Sequence, residues 1–204
     1  VNNIYYTAAA RAVWEEKIRQ SVFIGHAAPV SSEDGARDFI AQIRREHAGA
    51  THNCYAYHLG TGLQPLLHCH DHGEPPGTAG RPILNAIRKT NLTNTVVVVT
   101  RYYGGKKLGI RGLIDAYHSV ALQVLKKAGK TRIIPCFTLN ITCVYPQLSA
   151  VNQILHKYNV STEEADYQAR VTLRLRVPEK NRREFLQALS PLHGVTWEKT
   201  PPSR

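Results

Sequence analysis

Residues 95–101 read Thr-Val-Val-Val-Val-Thr-Arg, the longest β-branched run in the chain. A continuous apolar run of that length, as opposed to an alternating one, predicts a strand covered on both faces. Shorter strands are expected at 21–28, ending before Pro29, and at 52–60 and 66–70, the last two joined as a hairpin through the turn Gly60-Thr61-Gly62. Helical spacing appears between them. Phe39, Ile40 and Ile43 make the buried stripe of a helix over 33–47, capped by Ser31 or Ser32. A helix over 82–90 carries Pro82 near its first turn, where a missing N–H costs nothing. A third, over 112–128, aligns Leu113, Tyr117, Val120, Ala121, Val124 and Leu125 on one face, with Gly129 as its C-cap.

Beyond residue 136 the pattern becomes regular. Phe137, Leu139, Ile141, Cys143 and Tyr145 alternate, Leu148, Val151, Ile154, Leu155 and Tyr158 repeat helically, and Val171, Leu173, Leu175 and Val177 alternate again. With a weaker strand at 160–167, a helix at 179–189 and a strand at 195–198, the order is βαββαβ, the split ferredoxin-like plan. A division within 129–136 is expected, giving domains 1–131 and 132–204 of α+β class, with a frayed tail at 200–204. No solenoid repeat or low-complexity tract interrupts this order.

Composition narrows the class of protein. Of 204 residues, 43% are apolar and 20% charged, enough to build a core and too few charges for wholesale disorder. No apolar run approaches the ~18 residues of a membrane span. Residues 1–19 show no signal-peptide h-region, so a cytoplasmic address is expected. Cys54, Cys69, Cys136 and Cys143 form no CxxC pair and read as free thiols. The net charge of +11 is uneven: residues 1–80 hold 6 basic and 8 acidic side chains, residues 81–130 hold 10 and 1, and residues 131–204 hold 10 and 6. No carboxylate occurs between Glu74 and Asp115, while Arg81, Arg88, Lys89, Arg101, Lys106, Lys107 and Arg111 all fall there. Such a segment attracts polyanions or an acidic protein face.

The stretch 102–112, Tyr-Tyr-Gly-Gly-Lys-Lys-Leu-Gly-Ile-Arg-Gly, joins the buried strand to a helix. Gly104, Gly105 and Gly109 permit positive φ, the helix start adds partial positive charge, and Lys106, Lys107 and Arg111 add full charges: the ingredients of an anion site. Ile110-Arg111 stands where a Walker loop needs Lys-Ser/Thr, so this is not one. The plainer reading is a tight structural connection. Asp71 and Glu74, in the loop 71–82, are candidate general acid and base, against a simpler role as acceptors for backbone N–H groups or as partners of Arg81 or Arg101. His52, Cys54 and His58 share a face of one hairpin strand and His68, His70 and His72 a face of the other. If the faces pair, a zinc site built from residues such as His52, Cys54 and His70 is geometrically allowed, although no customary zinc spacing occurs; ordinary histidines are favoured, and no metal or cofactor is expected. A nucleophilic Cys54 lacks any sign of an orienting group. Of Tyr102 and Tyr103, alternation sends one ring to the core and one outside.

Four stretches in order, KIRQSVFI (17–24), ATHNCYAY (50–57), DHGEPPGTAGRP (71–82) and RYYGGKKLGIRGLIDAY (101–117), resemble the YigZ/IMPACT family. The resemblance implies a first domain of the βαβ type found in ribosomal and elongation-factor domains, and a ferredoxin-like second domain similar to late domains of elongation factor G. It further implies a link to translation, because the eukaryotic relatives are translation regulators that bind the activator of an amino-acid-starvation kinase. The chain departs from the family pattern at His72, where a second aspartate is usual, and at Arg111, Asp115 and His118. The expected function is therefore a binding or regulatory module contacting structured RNA or the ribosome through Arg81, Arg88, Lys89 and the 101–111 segment. The alternatives are an enzyme acting on a phosphorylated or nucleotide substrate, and an adaptor for an acidic protein.

Overall fold

The computed structural model describes residues 4–61 and 64–199. The chain divides into two compact units, Ile4–Ile133 and a second beginning at Ile134. No helix among the described residues is long and apolar enough to cross a membrane.

The first unit is built on a five-stranded antiparallel sheet in the order β2-β3-β6-β4-β5: β2 (Ala12–Ile18), β3 (Ser21–Pro29), β4 (His52–Leu59), β5 (Leu66–His70) and β6 (Thr95–Tyr102). β6 lies at its centre, and its valines are fully buried as the continuous apolar run requires. Val96 and Val98 face α1 (Glu33–Glu46) through Phe39, Ile40 and Ile43. Val97 and Val99 face α2 (Gly80–Lys89) and α3 (Gly109–Ala128). At about 1.5–3 kcal/mol per buried large aliphatic side chain, this double burial makes β6 the principal apolar anchor of the unit. β3 and β4 both pair antiparallel with β6, so they run parallel to each other, connected by α1 and with β6 between them.

Ser32 caps α1 by accepting the Gly35 N–H at 3.1 Å. α2 starts at Gly80, so Pro82 falls in the first turn. α3 begins at Gly109, three residues before the expected start, and takes Gly109, Ile110 and Arg111 out of the connection and into its first turn. Gly129 terminates it with φ of 67°. Three strands carry no pattern that announced them. β2 is an exposed edge strand, and β1 (Tyr5–Ala8) pairs with β7 (Lys130–Ile133) in a separate two-stranded ribbon. The hairpin turn at Gly60-Thr61-Gly62 lies partly outside the described residues, as does the tail 200–204.

The second unit has β8 (Cys136–Cys143), α4 (Leu148–Lys157), β9 (Ser161–Tyr167), β10 (Val171–Pro178), α5 (Arg182–Leu189) and β11 (Thr196–Lys199). Its sheet order, β11-β8-β10-β9 with every pair antiparallel, is that of a split βαββαβ domain. Leu139, Ile141, Cys143, Leu173 and Leu175 pack against Val151, Leu155, Phe185 and Leu189 of its two helices.

Candidate functional site

The loop from 71 to 80 holds both carboxylates proposed for catalysis, and each is committed to the fold. Asp71 accepts backbone N–H groups with both oxygens: Oδ1 from Ala79 at 3.0 Å and Gly80 at 2.8 Å, Oδ2 from Gly77 at 2.8 Å. Two of these donors lie at the start of α2, so Asp71 does the work of a helix cap from eight residues away. Burial, the largest single influence, pushes its carboxyl up, but the three N–H donors together outweigh it and hold the group below its usual range. Glu74 is buried as well. Its Oε1 receives Arg101 Nη1 at 2.6 Å and the Tyr117 hydroxyl at 2.8 Å, with His52 Nε2 at 3.7 Å.

Of the two readings of Arg101, the pairing with Glu74 is the one realised, and its place on a basic contact face is corrected: in the fold it is 4% exposed. Its guanidinium lies 5.3 Å from the Phe23 ring centroid and 5.2 Å from that of Tyr103, and Nη2 donates to Ser21 Oγ at 3.3 Å. The alternation at the strand end puts Arg101 inward beside Phe23, where a guanidinium persists only with a carboxylate partner. Tyr102 is half-buried and bonded to His47 Nδ1 at 3.0 Å, whereas Tyr103 is exposed.

The remaining basic residues are divided among different elements of the unit. Arg88 and Lys89 end α2, just before β6 begins, while Lys106, Lys107 and Arg111 follow the end of β6. The 8 residues of that strand, roughly 3.3 Å each, lie between the two groups along the chain. Arg81 is exposed at the other end of α2, near Cys69 of β5. Lys106, Lys107 and Arg111 are exposed, and Arg111 faces Asp115 at 3.8 Å. The glycines beside them differ in purpose. A Cβ on Gly104 would sit 1.8 Å from the Gln20 carbonyl oxygen, so Gly104 serves close packing of the chain against itself. Gly105 and Gly109 have φ of 85° and 75° with open space where a Cβ would be, which leaves backbone conformation as their reason.

The histidine-rich hairpin separates the residues that a zinc site would need. Tyr55 pairs with His70 and Tyr57 with His68, so His68 and His70 lie on the α1 face, while His52, Cys54 and His58 lie on the opposite one. Among the described residues no group of three or more His, Cys, Asp or Glu side chains is placed to hold a metal. His52 Nδ1 is bonded to the His72 carbonyl and His58 Nδ1 to that of Leu92. The Cys54 thiol donates to the Asp71 carbonyl at 2.8 Å, and burial pushes it up to about 12, which leaves it a protonated and poor nucleophile.

One cluster escaped the sequence reading. Tyr57, His68, Tyr55 and His70 stack in a ladder, with centroid separations of 5.2, 5.8 and 5.5 Å. Beside it α1 presents Arg37, Arg44 and Arg45. The signal existed in the alternation of Tyr55 with Tyr57 and in the 37, 41, 44 spacing on α1, but it combines two elements that only the fold brings together.

Residues 19–125 match the Impact N-terminal domain, and residues 141–192 match a domain of unknown function, DUF1949. An IMPACT family member of Haemophilus influenzae is 36% identical over 91% of this chain and 91% of its own length. IMPACT family member YigZ of Escherichia coli is 34% identical over 89% and 90%. A crystal structure described as that of a hypothetical protein superposes with a TM-score of 0.76 at 30% identity, covering 100% of both chains.

Proposed function

Because the chain belongs to the IMPACT family, we propose that it is a cytoplasmic, translation-linked regulatory protein that works by contact, not by turnover. The turn carrying Lys106 and Lys107, with Arg111 in the first turn of α3, engages phosphates of structured RNA or of the ribosome. The translation link rests on family likeness, since the eukaryotic members are translation regulators. The contact rests on one observation: three exposed cations follow the end of β6, and among the described residues only Arg111 has a carboxylate within ion-pair distance. An exposed i,i+4 pair of that kind is worth little and yields readily to a phosphate. Lys and Arg on a turn position a nucleic-acid backbone without reading its sequence. Binding is favoured over catalysis by the condition of Asp71 and Glu74, whose oxygens already hold the loop and Arg101.

The test is the combined substitution Lys106→Glu, Lys107→Glu and Arg111→Glu, with affinity for ribosomes and structured RNA measured against salt concentration. Each lost phosphate contact lowers the log–log salt slope by about 0.7–0.9, so a fall of about 2–3 is expected along with weaker binding. Unchanged affinity and slope would remove the turn from the interface. Repeating the capture after nuclease digestion separates this reading from an acidic protein partner, which survives digestion.

A further inference from the structure

A groove of about 440 Å³ runs between α1 and the outer hairpin of the first unit, a volume within the range of sites that enclose small organic ligands. Tyr55, Tyr57 and His68 line one side, and Arg37, Arg44 and Arg45 the other. Its charges are unequally matched. Glu33 binds Arg37 at 2.7 Å and accepts the Tyr57 hydroxyl at 2.9 Å, so that pair is internally neutral. Arg44 and Arg45 have no carboxylate within ion-pair distance among the described residues. Arg44 lies over the Tyr55 ring at 5.3 Å, and its Nε is buried without a hydrogen-bond acceptor. The segment supplying these groups has a net negative charge in sequence, so the groove's positive character comes from placement alone.

We propose that this groove binds a nucleobase–phosphate unit of single-stranded RNA, the base against the Tyr55–His68 rings and the phosphate on Arg44 and Arg45. Aromatic rings accept any base by its π-face, and planar guanidinium groups fork onto phosphate oxygens. A duplex hides its base faces, so an unpaired strand fits the rings and a helix does not. Tyr55 and His70 continue the ladder beyond the enclosed part to the exposed edge strand β5, which leaves room for a neighbouring nucleotide. The site is distinct from the Lys106–Lys107 turn and does not depend on it.

The experiment uses the full chain already carrying Lys106→Glu, Lys107→Glu and Arg111→Glu, so that the turn cannot contribute. Fluorescence anisotropy with a labelled ten-nucleotide oligouridylate is compared for this chain, for Arg44→Gln with Arg45→Gln, and for Tyr55→Leu. The thermal melt of each confirms folding. The arginine pair is expected to weaken binding at least tenfold and to lower the salt slope by about 0.7 per lost phosphate contact. Tyr55→Leu is expected to weaken it several-fold with the slope unchanged, a split that a purely structural role for the residue would not produce. Restoring Arg45 as Lys should recover the slope before the affinity. Competition by free uridine monophosphate identifies a free nucleotide as able to make the same contact, and supports the site. Binding equal in all variants, competition by duplex RNA alone, or no binding by the turn-substituted chain would each overturn the proposal. Loss of ribosome binding in the turn variant, with oligonucleotide binding retained, concerns the turn and leaves the groove intact.

Discussion

Removing the Glu74 carboxylate tests whether that residue is part of the framework or of a reaction. In Glu74→Ala, Arg101 keeps its place between Phe23 and Tyr103 but loses the acceptor at 2.6 Å, and Tyr117 loses its acceptor at 2.8 Å. Arg101 Nε already lacks a partner, so among the described residues the head group keeps one side-chain hydrogen bond, to Ser21 Oγ at 3.3 Å. Removing one member of a buried ion pair costs about 3–5 kcal/mol, chiefly because the other charge is left uncompensated. With a urea m-value of about 2 kcal/mol/M, a loss of ~4 kcal/mol moves the unfolding midpoint down by ~2 M. The chain has two tryptophans, Trp14 on β2 and Trp197 on β11, so a Trp197→Phe background confines the fluorescence signal to the first unit. Adding Arg101→Met to Glu74→Ala should recover much of the loss, since it removes the stranded charge and leaves a side chain that packs against Phe23. A Glu74→Ala midpoint within ~0.3 M of the parent would refute the framework role and return the carboxylate to the list of candidate catalytic groups.

Two further outcomes follow from particular positions. Gly104→Ala places a methyl group against the Gln20 carbonyl and should destabilise the first unit by several kcal/mol, whereas Gly105→Ala, strained only by its positive φ, should cost about 1–2 kcal/mol; urea unfolding of the two side by side checks the order, and equal costs would mean the close approach to Gln20 is not maintained. His26 is pushed down to about 4, first by burial and then by His47, with Glu46 opposing. The unfolded chain therefore binds the proton first as pH falls. Stability from the neutral ring is fully present above about 6.5 and is lost on the way down to about 4, on the order of 3 kcal/mol in all. Unfolding followed between pH 7 and 4 should show that slope in the parent and a flatter one in His26→Gln; equal slopes would assign the acid sensitivity elsewhere.

What the sequence determined by itself was whatever has a local period. The run Val96–Val99 could only be a strand sealed on both sides, the stripe Phe39–Ile40–Ile43 only the inner face of a helix, and the alternation of Leu139 with Ile141 and of Leu173 with Leu175 only sheet positions over one core. Residues with no such rhythm were left to the tertiary structure. β2 and β7 are exposed and become strands because β3 and β1 pair with them. Arg101 and Lys106 are both cations in one glycine-flanked stretch, yet strand parity turns the first inward to Glu74, while the second, past the end of the strand, stays in water. The hairpin register, set by a turn whose pattern does not reveal it, sends His68 and His70 away from Cys54 and toward the arginines of α1. Hydrophobic burial writes its period into a chain, whereas the fate of a charge depends on which partner the folded backbone brings within a few ångströms, and no spacing along the sequence encodes that distance.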